Sequence, residues 1–159
     1  MSNWFLLLCQ FSVIGFALVA GVFLAFSDFL MRSLSKADGH GGVEAMQIIN
    51  REVFRVVFMA LFLGLVPVSA ALTVYAIVVM SGFDSALIAL SGLTYVAGTF
   101  GVTVIFNVPL NEKLAPLDHS LPETERFWRH TYLPRWTFWN SVRTVASVMS
   151  SLLLLLGLT

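Results

Sequence analysis

Apolar residues fill four long runs, at about 4–27, 53–80, 85–106 and 135–158, and the polar residues collect between them. Each run meets the ~20 residues a spanning helix needs. None shows the alternation of an outer-membrane barrel strand. The pattern predicts an all-α fold: a single four-span transmembrane domain, built as an antiparallel four-helix bundle. Short interfacial helical segments are expected in the two long connections. Ser81-Gly-Phe-Asp84 is too short for anything but a tight turn, so the second and third spans form a hairpin, with Asp84 as a candidate cap.

Finer expectations attach to single residues. Helix 1 is expected to run past the membrane edge through Ser27, Asp28 and Arg32, where Asp28 and Arg32 can pair at i, i+4. Ala17, Gly21 and Ala25 form one small-residue ridge, and Ala97 with Gly101 another. Three glycines mark the loop 36–42. Beyond it Glu44, Gln47, Arg51 and Arg55 make a polar stripe leading into the second span, with Asn50 at the hinge. Pro67 sits mid-span, where a kink is expected. Pro109 predicts a break in the third span, with Asn107 and Asn111 placed to bond the freed backbone. Leu121-Pro-Glu-Thr-Glu125 starts a short helix whose Phe127, Trp128, Arg129 and His130 suit the headgroup layer. Pro134 then opens the last span.

Composition sharpens this picture. Of 159 residues, 58% are hydrophobic and 11% charged, too few polar groups for a soluble surface of this size. The net charge of zero gives no reason to expect nucleic acid. The lone Cys9 cannot form an intramolecular disulfide. No Lys or Arg precedes the first apolar run, and that run is too long for a cleavable signal. All nine basic residues flank the first and third connections: Arg32, Lys36, Arg51 and Arg55, then Lys113, Arg126, Arg129, Arg135 and Arg143. The positive-inside rule then predicts a multi-pass protein of the inner (plasma) membrane, with both termini outside the cytoplasm.

Candidate chemistry gathers near the cytoplasmic end. Trp136, Asn140, Arg143, Ser147 and Ser150 recur at helical spacing and draw one stripe down the last span. Arg143 falls about 12 Å along the helix past Pro134, at 1.5 Å per residue. A cation there must face other helices or snorkel to water. Asn50, Asn107, Asn111 and Asn140 lie at similar depth, with Gln47 and Ser27 close by. Two readings fit. The amides knit the bundle and anchor Arg143, or they line a pocket with Trp136 and Trp139 as walls. His40, His119 and His130 stand in connections without metal-ligand spacing, so no metal or haem site is expected. Phosphate loops, nucleophile elbows and Cys-x-x-Cys pairs are absent from the sequence.

Four stretches carry a family resemblance: Ala20-Gly-Val-Phe-Leu-Ala-Phe-Ser27, Met46-Gln-Ile-Ile-Asn-Arg51, Phe106-Asn-Val-Pro-Leu-Asn111 and Arg135-Trp-Thr-Phe-Trp-Asn-Ser-Val-Arg-Thr144. In order and spacing they resemble bacterial members of the anthrone oxygenase-like membrane family, formerly described as a domain of unknown function. Asp28 and Arg32 depart from that pattern, standing where a small hydroxyl residue and a proline are expected. The resemblance implies oxidation of a flat aromatic, polyketide-like substrate by O2 without metal or flavin, so no cofactor is expected. In that reading Trp136 and Trp139 stack on the substrate rings. Arg143, with Asn140 and Asn107, holds an oxyanion, while Asn50, Asn111 and Gln47 complete the pocket. Water or Asp28 is the candidate base. The expected partners are membrane lipid, an aromatic small molecule and O2; the oligomeric state is not legible. The competing reading is a non-enzymatic binder or partner subunit whose Asn/Arg cluster is structural. Transport ranks third, because the polar groups gather at one end rather than at the midplane.

Overall fold

The computed structural model describes residues 2–37, 40–55 and 57–159. Asp38 and Gly39, from the expected glycine loop, lie outside the described residues, as does Val56. So does the Arg55 side chain, expected on the polar stripe. Five helices account for the described architecture: α1 (Asn3–Leu34), α2 (Gly41–Glu52), α3 (Val57–Val79), α4 (Phe83–Leu114) and α5 (Pro122–Leu156). Among the described residues there is no strand. Four of the five are long and apolar enough to cross a membrane; α2 is the short amphipathic one.

The long helices form a closed ring in which α1 packs on α3 and α5, and α4 packs on the same two. Gly82 makes the turn between α3 and α4 with φ +91°, a conformation that costs residues with a Cβ. Asp84 follows it without capping the helix. Both chain ends meet this turn. Phe5 stacks on Tyr75 at 4.1 Å, and a Cβ on Gly157 would stand 2.8 Å from Ile88 Cγ1. The connections therefore alternate between the two ends of the bundle, and the long ones share the end with α2.

Two apolar cores fill the ring. One, near the chain ends, includes Phe16, Leu72, Ile88 and Tyr95. The other, under α2, includes Met31, Met46, Leu114, Trp128 and Tyr132. Outside, large apolar side chains such as Phe11, Val57 and Phe83 stand exposed, as lipid-facing residues do. Between helices, hydroxyls reach backbone carbonyls: Ser91 to Ser150 O at 2.7 Å, Tyr95 to Phe62 O at 3.0 Å and Ser151 to Val13 O at 3.0 Å. Such bonds are worth about 0.6 kcal/mol each in lipid.

Prolines do not break these helices. α3 continues through Pro67, and α4 through Pro109. Two π-helical stretches, Tyr95–Gly101 and Thr103–Asn107, precede Pro109. There the ladder shifts to five-residue bonds, with Val108 N–H reaching Thr103 O. That shift accommodates a residue lacking an N–H. The same device recurs in α5. A π stretch at Trp128–Tyr132 precedes Pro134, which therefore sits inside a continuous helix rather than opening the last span. The expected short interfacial helix is the first part of α5, and its Trp128 turns into the second core instead of the headgroup layer.

A π stretch at Phe26–Leu30 rotates the end of α1, and Asp28 and Arg32 form no ion pair. The small-residue ridges also differ from expectation. A Cβ on Gly21 would meet nothing within 4 Å, whereas one on Gly98 would lie 2.7 Å from the Ala146 Cβ. Close approach thus falls one residue beyond Ala97, at Gly98, and not along Ala17–Gly21–Ala25.

Candidate functional site

The two cores do not quite meet. Between them lies a cavity of about 210 Å³, bounded by α1, α2, α3, α4 and α5. Its walls are mostly apolar: Phe23 and Phe26 from α1, Phe58 and Phe62 from α3, Phe100 from α4 and Met46 from α2. Four polar side chains interrupt them, Asn50, Thr103, Asn111 and Arg143.

Arg143 is buried, with 5% of its surface exposed. Its guanidinium carbon stands 4.2 Å from the Phe23 ring centroid and 5.2 Å from that of Trp136. Both distances suit cation–π attraction. Nη2 donates to Asn140 Oδ1 at 2.6 Å, and Nη1 to Thr103 Oγ1 at 3.2 Å. Nε has no partner among the described residues, and no carboxylate there pairs with this cation. An unpaired buried charge is costly.

Neighbouring helices fix the guanidinium. Asn140 is fully buried on the inward stripe of α5, and its Nδ2 donates to Phe23 O and Ser27 Oγ, both at 2.6 Å. Its amide orientation is therefore set by α1, which leaves Oδ1 for Arg143. Thr103 reaches Arg143 from the π stretch of α4, and Asn107, four residues on, donates to Trp136 O at 3.1 Å. Trp136, Asn140, Arg143, Ser147 and Ser150 all face inward, so the stripe is the buried face of α5.

The eight residues singled out in the sequence separate here. Arg143, Trp136, Asn50 and Asn111 line the cavity. Asn140 stands behind Arg143 and Asn107 behind Trp136. Neither Asn107 nor Asn111 bonds the backbone of α4 freed by Pro109; their partners are Trp136 and Tyr132 on α5. Trp139 is no wall of the cavity: its ring stacks on Phe106 at 3.6 Å between α5 and α4. Gln47 departs from the expected polar face. It is buried and donates to Leu114 O and Leu117 O, both at 2.9 Å, tying α2 to the end of α4. Asp28 is exposed on α1 and does not border the cavity.

Three contributors escaped the sequence reading: Phe23, Thr103 and Tyr132. Thr103 and Tyr132 each precede a highlighted residue, Asn107 and Trp136, by one turn, the spacing that could have found them. On the connections, His40 and His119 come within 6.3 Å, ring to ring, away from the cavity. Beside them the backbone N–H and hydroxyl of Ser120 hold the Asp118 carboxyl below its usual pKa.

Residues 52–153 match the family model described as anthrone oxygenase. The chain belongs to the anthrone oxygenase family. The matched stretch takes in α3, α4 and most of α5, including Thr103, Asn111, Trp136, Asn140 and Arg143; Phe23 and Asn50 lie before it. No match was found among curated proteins or among solved structures.

Proposed function

We propose that this anthrone oxygenase family member binds a flat aromatic ketone in the α1–α5 cavity and promotes its oxidation by O2. The observation that carries this reading is Arg143, a buried guanidinium without a counter-ion, standing over aromatic rings on an apolar cavity. The purely structural alternative accounts for Gln47 and Asn107, whose amides bond backbone carbonyls. It does not account for an unpaired cation placed against an apolar space.

The chemistry follows from the substrate. An anthrone carries an acidic methylene group opposite its carbonyl. One methylene C–H bond breaks, the proton goes to water, and the electron pair spreads onto the carbonyl oxygen. Arg143 stabilises that oxyanion, which is charge that develops only on the way to reaction. Among the described residues no carboxylate or imidazole borders the cavity, so the work of the site is to raise the acidity of the bound C–H rather than to take the proton. The electron-rich methylene carbon then reduces O2 and forms a C–O bond, giving a peroxide that takes up a proton. Loss of the second methylene proton with cleavage of the O–O bond forms the new carbonyl and releases water. The balance is anthrone plus O2 to anthraquinone plus water.

The charge distribution supports an inner-membrane location, with the α2 end in the cytoplasm and both termini outside. The test uses the full chain in detergent, an anthrone and air-saturated buffer, with quinone absorbance and O2 consumption followed together. Quinone formed above background, with one O2 consumed per quinone, is expected. A rate equal to protein-free buffer contradicts the proposal and leaves a binder or partner subunit.

A further inference from the structure

We infer that Asn50 and Asn111 form a hydroxyl-reading pair on the cavity wall, held in orientation by Tyr132. This rests on the reading of the cavity as the substrate site, and it names a feature the substrate would carry away from its reacting centre.

The hydrogen-bond senses here are forced, and they start at an indole. Trp136 Nε1–H can only donate, and it stands 2.8 Å from the Asn111 side chain. Asn111 must therefore present Oδ1 to it. The Tyr132 hydroxyl lies 2.7 Å from the same oxygen, and a carbonyl oxygen cannot donate, so Tyr132 donates to Asn111. With its proton committed, the Tyr132 oxygen accepts, and the Asn50 atom 3.3 Å away must be Nδ2. One indole N–H thus sets the orientation of two amides, one on α2 and one on α4.

What remains over is complementary. Asn111 Nδ2, a donor, and Asn50 Oδ1, an acceptor, have no partner among the described residues, and both side chains line the cavity. The amides converge on a single phenolic oxygen. A ligand group that donates to one and accepts from the other fits this wall, and a ring hydroxyl does both with one atom. A bare ring edge would leave both amides unpaired, which is the arrangement that discriminates most strongly against a ligand lacking the group. Tyr132 does not itself line the cavity. It is fully buried and stacked between Trp128 at 5.2 Å and Trp136 at 6.3 Å, so it acts as a positioning residue.

Equilibrium binding of anthraquinone and of each of its monohydroxy isomers to the full chain in detergent tests this. At least one isomer is expected to bind wild type about tenfold more tightly than the parent, the size of one to two net hydrogen bonds. Asn50→Leu and Asn111→Leu should bring that ratio to about one. Tyr132→Phe keeps the ring stack and frees the Asn50 amide to turn, while the Trp136 indole still holds Asn111. It should lower the ratio while leaving the affinity for the unsubstituted ring unchanged, and it carries the test if the leucine variants do not fold. No preferred isomer in wild type, or a tenfold preference that survives in Tyr132→Phe, overturns the inference. Preferential binding without quinone formation removes the oxygenase reading alone. Quinone formation without preference removes the hydroxyl pair alone.

Discussion

Arg143→Met is expected to lower anthrone oxidation by about 100-fold or more, the usual loss when one preorganised oxyanion donor is removed. The same substitution should leave the melting temperature in detergent unchanged or raise it. Methionine is similar in length and apolar, and the walls it would touch, Phe23 and Trp136, are aromatic. Removing an unpaired buried charge removes its desolvation cost, which offsets the loss of its bonds to Asn140 and Thr103. A residue kept for packing would show the reverse: full activity and a lower melting temperature. Arg143→Lys separates charge from geometry. An ammonium keeps the cation but lacks the planar fork that here spans Asn140 on one side and Thr103 on the other. Its activity should fall between those of wild type and Arg143→Met in parallel quinone assays.

Gly92→Ala should have the largest effect on stability. A Cβ at Gly92 would overlap Ser69 O and Thr73 Oγ1, in the stretch of α3 that lies against α4. The first is backbone and cannot rotate away. The second already bonds Ser69 O at 2.9 Å and Ala89 O at 3.2 Å, so moving it breaks the hairpin's own cross-link. Overpacking of this kind costs about 1–3 kcal/mol, sometimes more. Gly21→Ala is the control. A Cβ there meets nothing within 4 Å, and alanine is the better helix former, so thermal melts should show no loss or a small gain. Equal destabilisation by both substitutions would contradict the assigned packing.

The contrast between these glycines shows what a sequence pattern carries. The long apolar runs were legible because spanning a bilayer demands length and hydrophobicity, and both are written residue by residue. The inward stripe from Trp136 to Ser150 was legible for the same reason: it lies within one regular helix. The ridge at Gly21 was misread because small residues are also common on lipid-facing surfaces, and spacing does not say which face meets a neighbour. Register was the harder loss. The π stretches before Pro109 and Pro134 each shift the ladder by one residue, so faces beyond them cannot be projected by a fixed 3.6-residue period. Thr103 and Trp128 begin two of these stretches, and nothing in local composition announces the change of register there. Spacing puts Gln47 on a polar stripe with Glu44 and Arg51 and at the depth of the pocket amides, and it does neither job. Its partners, two carbonyls near the end of α4, are nearly seventy residues away and become visible only in the fold.

Ionisation of a bound anthrone, followed by absorbance against pH under strict exclusion of air, measures the role of Arg143 directly. In wild type the anthrolate spectrum should develop at least one pH unit below its appearance for free anthrone, a stabilisation of about 1.4 kcal/mol. Arg143→Met should bind the neutral ketone and abolish that shift. A bound anthrone that ionises no more readily than the free compound, or equally in wild type and Arg143→Met, would contradict the guanidinium's assignment as the oxyanion's partner.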